Sequence, residues 1–427
     1  MRVFADLHIH SRFSRATSKK MGITEIARFA ETKGLNIVGT GDFTHPEWVR
    51  ELQSNLTEVP DTGLYRPTEH ASHTCFMITG EVGTAFVSDG ELKKIHHLVL
   101  APDFDTALQV NDRLANYGDL SVDGRPMLRM SAAELMEEVM AVSELNEVIP
   151  AHVWTPWFGL FGDFSGFNSI EECYHDMSRY VHALETGLSS DPPMNWRLSA
   201  LDKYVLVSNS DSHSFWPWRM GREANVFNLK TLSYDDVIRI LREKDTERFQ
   251  LTIETHPAYG KYHWTGHRTC GVSMPPQEAA KFNNLCPVCR RRLTKGVEQR
   301  VEDLADRPYG MRPSNAVGFM HLLPLSEIIA AALNASSPSL ENVWQIYNTL
   351  VAKFGNEYNV LIEATLENMG QVVDPRIAEA VVRVREGRAR VTPGYDGVYG
   401  KLVLFSDAEP EENNTSSVPQ RSLAEWV

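Results

Sequence analysis

The sequence predicts an α/β fold built on a parallel sheet, open or closed into a barrel, with a cysteine-bearing module and a helical region behind it. Three observations predict this. Over residues 1–255, short apolar runs alternate with capped amphipathic segments, the pattern of helices crossing between parallel strands. Residues 256–312 are rich in Pro, Gly, Cys and Arg and lose periodicity. Residues 313–405 return to helical spacing, and 406–427 are acidic and polar, which predicts a disordered tail.

The elements follow in order. Segments 3–9, 37–41, 76–80, 97–101, 148–153 and 204–209 read as strands. Ile23, Ile26, Ala27 and Ala30 share a helical face, and Gly34 supplies the stop. Ser131 with Glu134 is a capping-box pattern ahead of Leu135 and Val139, and Ser233 with Asp236 opens another helix. Val343, Ile346, Tyr347, Leu350, Val351 and Phe354 form a stripe that stops at Gly355. Asp374 and Pro375 suit the cap and first position of a helix reaching Gly387, and 401–405 is strand-like.

The 427 residues carry a net charge of −14, with 42% hydrophobic and 23% charged residues. That excludes a collagen-like, coiled-coil or wholly disordered chain. It also excludes a uniformly basic nucleic-acid coat, but not a local basic groove. Arg2, Asp6, His8, His10 and Arg12 break the apolar core that a secretory signal needs. The longest apolar run, 328–333, is far short of the roughly 18 residues of a membrane helix. Five cysteines, three of them between 270 and 289, argue for a reduced, cytoplasmic chain rather than a disulfide scaffold.

The main chemical signal is where histidines and acids fall. His8 and His10 close the first strand two positions apart, so both imidazoles face one side. Asp42 and His45 follow the second strand and Glu81 the third. His96 and His97 open the fourth, and His152 ends the fifth. Glu185 ends the apolar piece 181–184, and Asp211 and His213 follow 205–209. One strand-end histidine is more often structural than ligating. Repetition at strand after strand is different, because α/β barrels build active sites at the C-terminal ends of their strands. Imidazole with carboxylate suits Zn, Mn or Fe. A metal pair lowers the pKa of a water and stabilises both oxygens of an in-line displacement at phosphorus. Glu81 is the natural bridge between two ions, and Asp211 the natural ligand or proton acceptor. Asp6 and Glu185 are candidate acceptors behind the ligating histidines.

A second cluster reads as structural zinc. Cys286 and Cys289 form a Cys-x-x-Cys knuckle, Cys270 lies sixteen positions earlier, and His267 lies three before that. A Cys3His set closes a tetrahedral site; His263 is the alternative fourth ligand. The segment 261–312 holds ten Lys or Arg against five Asp or Glu. Arg290, Arg291, Arg292 and Lys295 follow the knuckle, and Arg383, Arg385, Arg388 and Arg390 form a second patch. Two patches opposing the overall charge favour contact with a phosphate backbone. Trp154, Trp157, Phe158, Trp216 and Trp218 cluster near the metal ligands; they suit core packing or the stacking of an extruded base.

The motifs Asp6-Leu7-His8-Ile9-His10-Ser11 and Ser210-Asp211-Ser212-His213, with Glu81, His97 and His152, resemble the polymerase-and-histidinol-phosphatase (PHP) domain. The resemblance implies a distorted seven-stranded (β/α) barrel, two or three divalent metals (Zn2+, Mn2+ or Mg2+) and phosphoester hydrolysis. It implies ligation by His8, His10, Asp42, His45, Glu81, His97, His152, Asp211 and His213. Ser14, Arg15 and Ala16 stand where an acid or His usually follows the first motif, and Phe43 and Thr44 split the usual Asp-His pair. Two metal sites are therefore expected.

Longer stretches resemble one family within that domain. Gly41-Asp42-Phe43-Thr44-His45-Pro46, the run 185–197, Gly221-Arg222-Glu223-Ala224-Asn225, the zinc segment, 304–307 and 393–400 are similar to endonuclease Q. The resemblance spans about residues 1–405. It implies a DNA-repair nuclease that cuts 5′ to hypoxanthine, uracil, xanthine or an abasic site, so damaged DNA is the expected partner and a nucleoid-associated location follows. Domains are expected at 1–255 (nuclease), 256–312 (zinc) and 313–405 (helical, DNA-binding). Arg222 and the Trp216/Trp218 pair are candidates for reading the base. Two rival readings are a small-molecule phosphoesterase, which would not bind DNA, and a non-catalytic DNA-binding protein. In the tail, Gln420, Leu423 and Trp426 are similar to the sliding-clamp-binding box of repair proteins, with Val427 in place of the second aromatic.

Overall fold

The computed structural model describes residues 1–69 and 72–405. The clamp-box residues Gln420, Leu423 and Trp426 lie outside the described residues, as does the expected disordered tail. Among the described residues ten strands lie in the first half. Seven of them are β1 (Arg2–Asp6), β2 (Ile37–Gly39), β3 (Cys75–Ser88), β4 (Glu91–Ala101), β5 (Glu147–Pro150), β6 (Ala183–Glu185) and β7 (Val205–Val207); the other three, Leu56–Val59, Leu64–Pro67 and Met127–Leu128, pair within the main sheet. Three more extend the sheet: β8 (Ala224–Asn228), β9 (Phe249–Glu254) and β10 (Gly318–His321).

The fold is mixed α/β rather than parallel throughout. β1–β2, β2–β3, β6–β7 and β9–β10 pair parallel. The pairs β3–β4, β4–β5, β1–β8 and β8–β9 are antiparallel. The departure centres on β3 and β4, a long hairpin turned at Asp89 and Gly90, which have φ of 51° and 78°. Asp-Gly is the dipeptide that tolerates two left-handed residues in a row, so it favours a two-residue hairpin turn. Among the described residues the main sheet has eleven strands and its ladder does not close; β6 and β7 form a separate two-stranded ladder. A few backbone bonds just past the strand ends bridge the gaps. Val153 N donates to Glu185 O at 3.0 Å, and His10 N donates to Ser212 O at 2.9 Å. Ala5, Ile37, Met77, Leu98, Ile149, Ala183 and Val205, one from each of β1 to β7, belong to one buried apolar cluster.

Helices cover the sheet as their caps foretell. α1 (Ile23–Lys33) ends at Gly34, whose φ of 100° needs a residue without Cβ. α2 (Pro46–Asn55) follows His45, and α3 (Phe104–Leu114) starts from Asp103, which accepts from Thr106 N. α4 (Ala132–Val142) has the full Ser131/Glu134 capping box, and α5 (Tyr234–Glu243) is capped by Ser233. C-terminal helices α6 (Leu325–Ala332), α7 (Glu341–Phe354) and α8 (Pro375–Arg385) pack into the larger apolar core. They are tied to the first half by a buried ion pair. Lys33 Nζ reaches Glu357 Oε1 at 2.7 Å and donates to Pro217 O at 2.8 Å. Among the described residues no helix is long and apolar enough to cross a membrane.

Candidate metal centre

One buried cluster gathers residues that follow β1, β5 and β7 (His8 and His10, His152, Asp211) and residues from the middle of the β3–β4 hairpin (Glu81, His96). Ligand atoms of His8, His10, Glu81 and Asp211 lie within 4.8 Å of one another, as do those of Glu81, His96 and His152. Glu81 belongs to both groups. Its Oε2 lies 3.3 Å from His10 Nε2, and its Oε1 lies 2.7 Å from His96 Nδ1 and 3.0 Å from His152 Nε2. His8 Nε2 is buried without a hydrogen-bond partner, 3.5 Å from Glu81 and 3.8 Å from Asp211. An orphaned imidazole nitrogen aimed between two carboxylates is what a cation site requires, so the donor set fits metal ions. Asp42, His152 and Asp211 have φ of 51°, 32° and 47°. Such left-handed conformations are uncommon for residues with a Cβ and cluster at functional sites.

Electrostatics hold the cluster charged. Burial opposes protonation of His8, but Glu185 and Glu81 more than offset it, so its pKa lies well above the ordinary value. Burial likewise opposes ionisation of Glu81, yet His96, Arg125 and His8 hold it well below the usual carboxylate range. Burial draws His96 down to about 4, which leaves a neutral imidazole suited to ligation. Asp211 is held low chiefly by His10 and His8, against burial.

Acceptors behind the ligands fix their orientation. Glu185 accepts from His8 Nδ1 at 3.0 Å, from His152 N at 2.8 Å and from Asn209 Nδ2 at 2.8 Å, the expected role. Asp42 is not grouped with the ligands; it takes the same part for His10. It lies 2.9 Å from His10 Nδ1 and accepts from Ser11 N and Oγ at 2.6 Å and Ser14 Oγ at 2.9 Å. Expected as a ligand, Asp42 stands behind His10 instead, with three hydrogen bonds on Oδ2 and the imidazole on Oδ1. Asp6 contacts no ligating histidine. It accepts from Ser210 N and Oγ and from Gly221 N, and so holds the Asp211 loop.

Other expectations need correction. His97 points away from the cluster, to the Tyr174 hydroxyl at 2.7 Å and Thr84 Oγ1 at 3.0 Å. Neighbours on a strand face opposite sides, and His96 faces Glu81 and His152. His45 caps α2, stacks on Phe13 at 4.4 Å and contacts Ser121 O at 3.2 Å, apart from both groups. His213 lies beside the cluster, its ring 4.3 Å from that of His10, and its Nδ1 pairs with Asp211 O at 3.0 Å. Arg222 spends Nε and a terminal nitrogen on Ser210 O at 3.3 and 3.0 Å, which makes it a brace for the Asp211 loop. Trp216 and Trp218 stack on each other at 4.9 Å and pack against Trp344. Trp154 is buried and donates to Asn195. Arg125 escaped the sequence reading because it lies in an ordinary Asp-Gly-Arg-Pro turn. Its guanidinium reaches Glu81 Oε2 at 3.2 Å and remains partly exposed.

The zinc-type group also assembles: His267, Cys270, Cys286 and Cys289 present ligand atoms within 4.8 Å of one another. Burial opposes ionisation of Cys286, but the backbone N–H groups of Cys289 and Val288 draw its thiol down to about 6. His263 instead lies buried, 3.5 Å from Glu298. The 393–400 run supports the module, because Asp396 accepts from Arg268 N and Thr294 Oγ1 at 2.7 Å. Arg290, Arg291 and Arg292 are exposed. Lys295 is not a free cation, since it pairs with Asp163 and Asp303 at 2.8 Å. In the second patch, Arg383, Arg385 and Arg388 bond their own helical region.

Two buried donor groups that share one glutamate define a candidate two-metal centre. Relatives narrow that class. The lesion-specific endonuclease PfuEndoQ from Pyrococcus furiosus superposes with a TM-score of 0.85 at 31% identity, over 97% of this chain and 99% of that one. An endonuclease Q complexed with a 27-mer duplex carrying an abasic lesion at the active site gives 0.84 at 31%, over 97% and 100%. The chain belongs to the endonuclease Q family. Residues 324–388 match the family model described as MJ0043 C-terminal domain. The uncharacterized protein MJ0043 of Methanocaldococcus jannaschii is 31% identical over 253 residues, 58% of this chain, and the chain spans only about a third of that protein's length.

Proposed function

We propose that this chain is a metal-dependent DNA-repair endonuclease that hydrolyses the phosphodiester 5′ to a deaminated base (hypoxanthine, uracil or xanthine) or an abasic site. The observation that carries the reading is Glu81 shared between two buried donor groups, in a chain similar along its length to a lesion-specific endonuclease. His8, His10, Glu81 and Asp211 would hold one ion and Glu81, His96 and His152 a second, as Zn2+, Mn2+ or Mg2+. When bound, such a pair supplies Lewis acidity to the phosphoryl oxygens and a lowered pKa to an attacking water. The chain's own residues do the rest. Glu185 and Asp42 hold His8 and His10 in a ligating orientation, the Asp211 carboxylate would serve as ligand or proton acceptor at the site, and Arg125 would offer a guanidinium to the phosphate oxygens.

A structural zinc at His267, Cys270, Cys286 and Cys289 would fix the knuckle that presents Arg290, Arg291 and Arg292 to the backbone. The seven-stranded barrel is part of this proposal, supported by the backbone bonds just past the strand ends, one from Val153 to Glu185 and two between Ser212 and the His8–His10 segment. So are an intracellular, nucleoid-associated location and clamp binding through Gln420, Leu423 and Trp426, which calorimetry of a 415–427 peptide against a sliding clamp tests. For the main reading, a duplex with one deoxyinosine is incubated with enzyme and Mg2+ or Mn2+ and run on a denaturing gel. A single nick 5′ to the lesion is expected; an intact strand overturns the reading.

A further inference from the structure

The segment between His152 and Phe167 holds two large aromatic rings in the open. Trp157 is 36% and Phe164 47% exposed. Their rings stack at 4.8 Å with 8° between planes, and Tyr262 packs edge-on against Trp157 at 5.2 Å. Phe164 is therefore the outer ring of a backed stack.

The backbone beneath is closely packed. A Cβ on Gly159, Gly162 or Gly166 would come within 2.5 Å of backbone atoms, so the loop folds on itself too closely for side chains. Phe164 N donates to Pro156 O at 3.1 Å, and Phe161 N to Val153 O at 2.7 Å. The zinc-side segment staples the loop from outside. Arg300 donates to the carbonyls of Phe161 and Phe167 at 3.0 and 3.1 Å, and Lys295 pairs with Asp163 at 2.8 Å. On its inner side Phe158 stacks on His96 at 4.6 Å. The loop that carries the rings thus touches the metal donors through Phe158 and the zinc-side segment through Asp163, which pairs with Lys295 and lies 3.5 Å from the exposed Arg292. Lys94 lies over Phe158 at 5.6 Å, and Lys261 over Tyr262 at 5.4 Å.

Resting on the nuclease reading above, we infer that Phe164, backed by Trp157, is a stacking platform for a nucleobase of the DNA beside the lesion. Cations around it suit a polyanionic occupant, and a flat π face held in solvent suits a base, because stacking needs no matching hydrogen bonds. The platform would cap the gap in the base stack that a displaced nucleotide leaves.

The test measures affinity for an abasic-site duplex by fluorescence anisotropy, with 2-aminopurine next to the lesion as a stacking probe. Phe164→Ala should raise Kd about tenfold or more and lose the 2-aminopurine quenching seen with the wild type. Phe164→Tyr should restore both. Phe164→Leu, which keeps apolar bulk without a π face, should not. Unchanged zinc content and melting midpoint certify that each variant is folded. Wild-type Kd and quenching in Phe164→Ala overturn the platform alone. Failure of the wild type to nick the duplex overturns the nuclease reading and the platform with it.

Discussion

His97 Nδ1 lies 2.7 Å from the Tyr174 hydroxyl, on the face of β4 opposite the metal donors. The two adjacent histidines of β4 therefore have separable roles. His96→Ala should lower the divalent metal bound per chain, with nicking reduced about 100-fold or more. His97→Ala should leave metal content near normal. It should instead cost about 1–3 kcal/mol of stability, because Tyr174 is left buried without its partner. Elemental analysis with thermal denaturation of both variants checks this; metal loss in His97→Ala alone would reverse the assignment.

Asp211→Asn removes one charge and little volume. Strand cleavage should fall about 10²–10⁴-fold while the variant still binds lesion duplex. Single-turnover nicking with a parallel gel shift checks both halves, and near-normal cleavage would refute the role of Asp211.

Cys286→Ser should release one zinc per chain and lower the thermal midpoint without altering the cut position. A filled Cys3His set leaves no place for a reacting water, so the loss is structural. Zinc titration of wild type and variant after chelation is the measurement; equal zinc in both contradicts the site.

Glu223, on the loop into β8, is buried with Oε2 unpartnered. Burial pushes its carboxyl up to about 8, against the nearby Arg222 charge. Glu254, the next buried acid across the β8–β9 ladder, is raised for the same reason. A carboxyl raised on folding keeps its proton in the native state while the unfolded chain has lost it. Its penalty is therefore absent below pH 4.5 and grows until about pH 8. Wild-type stability should fall across that window, and Glu223→Gln should flatten the fall and be more stable by roughly 2 kcal/mol at pH 8. Unfolding midpoints from pH 5 to 8.5 check the slope; parallel curves would sink the idea.

Much of this was legible in the residues for identifiable reasons. Capping boxes and glycine stops are local chemistry, so α1, α4, α5, α7 and α8 were readable from a few side chains each. Strand-end histidines and acids were readable because they recur in sequence order. The choice between His96 and His97 was not, because strand phase depends on register against β3 and β5, which no single strand encodes. The hairpin of β3 and β4 carried a signal at Asp89-Gly90 that the charged residues Glu91, Lys93 and Lys94 obscured. β8, β9 and β10 were missed because their pairing joins residues distant in the chain. Arg222 and Lys295 read as free cations, since nothing in the sequence announces that Ser210 O, Asp163 and Asp303 have claimed them.

The pair between Lys33 and Glu357 joins residues 324 positions apart. During synthesis the ribosome releases the metal-binding half long before the carboxylate that Lys33 needs. Until then that ammonium must stay hydrated, because burying it alone costs several kcal/mol. The carbonyl of Pro217, on the segment that leads back to Asp211, accepts from the same ammonium. A chain that stalls before residue 357 has the braces that Asp6 and Arg222 give the Asp211 loop but lacks this further one, so the order of translation completes the bracing only once Glu357 has emerged.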